Sequence, residues 1–216
     1  MKELIKKIQK AVGVIEDGEI GPITLNAIAA KLGIVDEPVP LSNNKLIDIA
    51  LGEHALMIRE TSTNQGPGIK KYWDATYYPL GYENREPWCC SFVVWCIQQA
   101  GLYPDGKRPK TPSVFAMENW AWNNNIPVIK PVKGVKKGQL VIFAFSHIAI
   151  ALSDSDNDGD FLTVEGNTNP SGSREGNGVY KKVRNLNLVR SAITLDRKST
   201  RLNSSHSDRS RMPSSA

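Results

Sequence analysis

"EPWCCSFVVWC", residues 86–96, holds all three cysteines of the chain. From Trp88 to Ala100 the run is apolar nearly all round, with Phe92, Val93, Val94, Trp95, Cys96 and Ile97 in succession. That pattern predicts a helix buried on most sides. Pro87 suits its start and Gly101 its end. Cys89 then falls in the first turn, where unpaired N–H groups and the helix dipole favour negative charge, and so favour thiolate. Cys96, two turns on, lies outside that field and reads as a packing residue. On the helical wheel Cys89 lines up with positions 92, 93, 96 and 100, the most apolar stripe, which should face a sheet. Cys90 lies about 100° round, with Val94 and Ile97. Cys89 is therefore the candidate nucleophile.

The sheet follows in sequence. "QLVIFAF" (139–145), "HIAIALS" (147–153), "FLTVEGN" (161–167), "GVYKKVR" (178–184) and "VRSAITL" (189–195) alternate with period two and read as strands. Upstream, "NNKLIDIALGEHALMIRE" (43–60) reads as a helix capped by Ser42 or Asn43. Residues 61–86 read as a polar loop and 102–138 as an irregular stretch. Helices followed by a run of antiparallel strands make an α+β layout, with helix packed on sheet.

At 216 residues with 40% hydrophobic and 23% charged residues, the chain has room for one medium domain and a small one. The N-terminus has no apolar core of the kind a secretory signal needs, and no run approaches the length of a membrane span. Closely spaced cysteines do not make a disulfide framework, so free thiols are expected. The net charge of +5 is concentrated at the end: residues 196–216 carry five Lys/Arg against two Asp. This stretch cannot bury a core and reads as a disordered tail; it also resembles translated adapter or vector sequence, so it is read as a non-native extension, with a basic tail that binds anionic polymers as the alternative. The remaining body is only mildly basic, which removes the main support for nucleic-acid binding.

A cysteine nucleophile needs a base. Of the three histidines, His206 lies in the tail and His54 lies mid-helix with no partner in view. His147 opens a strand. If Leu152 pairs with Phe161 across the connecting loop, His147 comes opposite Gly166. Glu165 or Asn167 is then beside the imidazole, since both lie on one strand face. A polar partner there would fix the tautomer of the base.

"DSDNDGDFLTVE" (154–165) fits the calcium-loop pattern of acids followed by glycine and a terminal Glu. Its flanks alternate like strands, whereas that motif needs helices. It is read as a polar hairpin loop, with a looser calcium site on Asp154, Asp156 and Asp158 as the alternative. No other cofactor is expected. A zinc amidase would need more histidine or cysteine ligands at workable spacing.

"PWCCSFVVWCIQQAG" (87–101), His147 and "VEGN" (164–167), with "RETSTNQGPGIKKYW" (59–73) and "VKKGQLVIF" (135–143), resemble the CHAP family of cysteine, histidine-dependent amidohydrolases and peptidases. The resemblance spans about Asn43 to Leu195; Gln139 stands where members often carry Asp. It implies a papain-like α+β fold, Cys89 as nucleophile, His147 as general base, and Glu165 with Asn167 as orienting groups. It also implies hydrolysis of an amide in the peptide stem of peptidoglycan, either the muramoyl–alanine bond or one within the peptide. Trp88, Tyr72, Trp73 and Trp120 are candidates to line a substrate groove, with ordinary core packing as the alternative.

Residues 1–35 are expected as a separate helical unit and 36–44 as a linker. "IKKIQKAVGV" and "DGEIGPITLNAI", with a Gln in the first helix and Asp17, Gly18, Gly21, Pro22 and Thr24 in the turn, resemble the small helical peptidoglycan-binding module. A packing hairpin is the alternative. Together these features imply a monomeric wall lysin of phage-endolysin type, made in the cytoplasm and acting on the wall after release. An antibacterial effector of the same chemistry and a non-catalytic wall-binding protein are the other readings.

Overall fold

The computed structural model describes residues 1–12, 44–130 and 132–195, together with the single positions 16, 18, 20, 24, 28, 31 and 32. The expected linker up to residue 43, the cap positions Ser42 and Asn43, most of the 13–35 segment and the 196–216 tail lie outside the described residues.

Five helices are described: α1 (Lys2–Ala11), α2 (Lys45–Ala55), α3 (Lys70–Asp74), α4 (Cys89–Ala100) and α5 (Val114–Asn123). Six strands follow: β1 (Val128–Ile129), β2 (Leu140–Phe143), β3 (His147–Ala151), β4 (Asp160–Thr168), β5 (Gly178–Asn185) and β6 (Val189–Ile193). They form one sheet in the order β1-β6-β2-β3-β4-β5, with every pairing antiparallel. The architecture is α+β, as expected, and each of the five expected strand segments contains a strand.

The helix at the centre of the sequence forms as its composition dictates. α4 begins at Cys89, and Gly101 closes it in the left-handed conformation at φ 62°, a position that suits glycine. Phe92, Val93, Val94, Cys96 and Ile97 are all fully buried. Each large apolar side chain so buried is worth about 1.5–3 kcal/mol over exposure. α4 contacts α2, α3, β3 and β4.

The sheet is apolar on both faces. Period two sends Leu140, Ile142, Ile148 and Ile150 into the core shared with the helices. It sends Val141, Phe143, Ala149, Ala151 and Phe161 into a second, smaller cluster.

Two helices occupy stretches expected to be loop. α3 carries Tyr72 and Trp73 into the core, and tertiary burial rather than propensity holds so short a helix. α5 is capped by Ser113, whose side chain accepts from the Ala116 N–H, an N-cap of the usual kind. The cap of α2 is Asn44 rather than Ser42 or Asn43, and its side chain makes no capping bond.

In the N-terminal segment the Gln9 side chain, buried in α1, accepts from the Gly18 N–H at 2.8 Å and donates to Thr24 Oγ1 at 3.1 Å. Three residues of the expected module are thus tied together by one amide. Asp17, Gly21 and Pro22 lie outside the described residues.

Candidate active site

α4 and β4 meet at unusually close range. A Cβ on Gly166 would lie 2.7 Å from Phe92 Cβ and 2.8 Å from Trp88 Cζ3, so only glycine lets the first turn of α4 rest on the strand here. Cys89 lies in that turn. Its own N–H, at the first helical position, has no intrahelical acceptor. Of the three cysteines, all free, Cys89 alone retains any exposure, 4% against 0% for Cys90 and Cys96. Burial pushes the Cys90 and Cys96 thiols well above their usual range. Cys90 Sγ donates to the Thr111 carbonyl instead, at 3.4 Å.

His147 sits at the start of β3, paired with Phe143 of β2, after a turn in which Ser146 takes φ 61°. The imidazole is fully buried and stacks near-parallel to Phe143 and Phe145 at 6.1 and 6.0 Å. Its Nε2–H donates to Glu165 Oε2 at 3.0 Å. An ionised carboxylate only accepts, so the bond places the proton on Nε2 and leaves Nδ1 for the thiol.

Burial opposes the imidazolium. The charge of Cys89 and contact with it, followed by the bond to Glu165, outweigh burial and raise the ring's pKa to about 9. Nδ1 itself closes no hydrogen bond, so Cys89 acts on the ring from beyond full bonding geometry.

Glu165 is fully buried, which by itself would raise its pKa. The bonds from Arg184 and His147 more than offset that and hold it down at about 2.

The register corrects the expectation by one residue. Ala151 pairs with Thr163, and the Leu152 N–H donates to Leu162 O at 2.8 Å, so Leu152 meets Leu162 rather than Phe161. Extended, this register would set Asn167 opposite His147, with Glu165 on the diagonal. Only Glu165 engages the ring. Pairing with β5 shifts between Glu165 and Thr168, and Asn167 takes φ 55°, which turns its side chain away.

Asn167 Oδ1 accepts from the Trp88 N–H at 3.2 Å, and Nδ2 donates to Asn64 Oδ1 at 2.9 Å, Gly176 O at 3.0 Å and Glu60 Oε1 at 3.2 Å. Asn167 therefore braces the start of α4 instead of orienting the imidazole.

Among the expected groove residues, Tyr72, Trp73 and Trp88 are core residues and present no surface to a ligand. Tyr72 stacks on Trp88 at 5.4 Å, and Trp88 Nε1 donates to Glu60 Oε1 at 2.9 Å. Apolar burial outweighed any groove role for these rings. Trp120 is half-buried against Tyr103 and donates to the Lys107 carbonyl.

The looser calcium site does not assemble. Asp154 turns to Lys136 Nζ and the Lys137 N–H, while Asp156 accepts from the N–H groups of Asp158 and Asp160. The loop joins two strands, as expected. Among the described residues no group of three acidic, histidine or cysteine side chains converges as a metal site.

Sequence reasoning missed Arg184, Thr163, Glu60 and Asn64. Thr163 Oγ1 donates to Glu165 Oε1 at 2.6 Å. Only the two-residue spacing of Thr163 and Glu165 along the strand could have pointed to it.

No family model matches the chain, and no curated protein matches it. Among solved structures it is similar to the crystal structure of a wild type endolysin, LysIME-EF1, with a TM-score of 0.47 and 18% identity over 73% of this chain and 67% of that one. A likeness that weak decides neither fold nor chemistry.

Proposed function

We propose that this chain is a cysteine hydrolase that cuts an amide of the peptidoglycan peptide stem. One observation carries the chemistry: a buried histidine whose Nε2 is bonded to the buried Glu165 carboxylate while its Nδ1 closes no hydrogen bond, on a ring whose pKa Cys89 at the start of α4 helps to raise. That is the base–orienter arrangement which activates a nucleophile. The substrate class rests on the resemblance of residues 59–73, 87–101 and 164–167 to CHAP enzymes and of the N-terminal segment to wall-binding modules.

In this reaction the Cys89 thiolate attacks the amide carbonyl carbon, and the carbonyl electrons move to oxygen. In this reading the Cys89 N–H, at the first helical position, stabilises that oxyanion. As the C–N bond breaks, the imidazolium gives its Nδ1 proton to the departing amine. A thioester remains; His147 removes a proton from water, water attacks, and the thiolate is released with the acid product. Glu165 keeps the ring in the required tautomer throughout.

The test is turbidity loss of purified wall sacculi with wild type and Cys89→Ser, with mass spectrometry of the fragments to name the bond. Equal clearing by both proteins refutes the assignment.

A further inference from the structure

Near its end strand β5 buries an arginine and exposes a valine: Arg184 is 8% exposed and the adjacent Val183 62%. Hydropathy alone predicts the reverse. What Arg184 meets explains the inversion. Its Nε donates to Glu165 Oε1 at 2.8 Å and its Nη2 to Oε2 at 2.6 Å, a bidentate fork. The guanidinium also lies 5.3 Å from the Phe143 ring centroid and 5.7 Å from that of Phe145, the two rings that flank His147. Thr163 occupies a further site on Oε1 and His147 one on Oε2. With about four acceptor sites on a carboxylate, every site is taken, and the group cannot turn without breaking bonds. The titratable groups facing Glu165 are Arg184 from β5 and His147 from β3, with Cys89 of α4 against the imidazole.

We propose that Arg184 is a positioning residue of the site: its fork fixes the plane and the charge of Glu165, and through Glu165 the ring nitrogen that His147 turns to Cys89. The inference rests on the hydrolase reading above. A purely structural position would be served as well by an apolar side chain, because a buried ion pair gives little net stability over one.

The test compares wild type, Arg184→Met and Arg184→Lys. Glu165 titration is followed by carboxyl 13C NMR, and sacculus clearing is measured against pH. In Arg184→Met the Glu165 titration and the acid limb of clearing both move up by about 1–3 pH units, and clearing at neutral pH falls about 100-fold. Arg184→Lys keeps the charge but loses the fork. It shifts both in the same direction by less, and it carries the test if the methionine variant fails to fold. A Glu165 titration and acid limb that stay at the wild-type position overturn the proposal, whatever the rate. An unshifted titration beside an inactive Cys89→Ser removes Arg184's role alone. Full clearing by Cys89→Ser removes the hydrolase reading and the positioning role with it.

Discussion

Replacing Gly166 with alanine tests the contact that sets Cys89 against the sheet. The added Cβ would lie 2.7 Å from Phe92 Cβ, 2.8 Å from Phe92 Cγ and 2.8 Å from Trp88 Cζ3. Comfortable carbon separations are about 3.5–4.0 Å, so α4 and β4 must part by about 1 Å. Neither ring can swing aside, because both are wholly buried and Trp88 is held by Glu60. Cys89 lies between these two residues in the same helical turn and moves with them. Overpacking of this kind costs about 1–3 kcal/mol, and a displacement of that size costs about 100-fold in rate. Gly166 is not in the left-handed region, so alanine suffers no backbone strain there. Without the clash, alanine would stabilise the fold by about 0.4–1 kcal/mol by restricting the unfolded chain. The sign therefore decides. Urea unfolding and sacculus clearing measure the two effects, and a Gly166→Ala protein as stable and active as wild type would refute this account of how α4 is seated.

Other outcomes are equally specific. Iodoacetamide should label Cys89 alone in the native protein, because Cys90 and Cys96 are sealed and their thiols pushed up; Cys90→Ala should keep clearing activity, and its loss would reassign the nucleophile. Clearing should fall off as pH rises through about 9, where the imidazolium loses the proton that the leaving amine requires; a profile flat to pH 10.5 contradicts this. Glu165 has a folded pKa depressed to about 2 from 4.5, so its contribution is complete above pH 4.5 and is lost as pH falls through the folded value. That contribution is about 3 kcal/mol, and urea titrations between pH 5 and 2 should show a smaller acid dependence for Glu165→Gln than for wild type. Gln9→Ala removes the bonds to Gly18 and Thr24 at about 1–3 kcal/mol; sedimentation with sacculi should show weaker binding, and unchanged binding would leave the segment a packing hairpin.

The elements around the site were legible because local sequence encodes them. An apolar run of that length between Pro87 and Gly101 points to a buried helix and puts Cys89 in its first turn. The alternations after residue 139 fix strands in the same way, and they place His147 and Glu165 on adjacent strands within reach of each other. Other features depend on what lies across from a residue. Val183 and Arg184 exchange the exposures that their hydropathy predicts, because Glu165 waits on the neighbouring strand. The bulge after Glu165 sends Asn167 to the Trp88 N–H instead of the imidazole. Tyr72, Trp73 and Trp88 could have lined a groove or filled a core, and only the packing of α3 against α4 chose the core. Periodicity is a property of one segment; register, burial of charge and the direction of a side chain after a bulge are properties of two segments in contact, and folding alone brings those together.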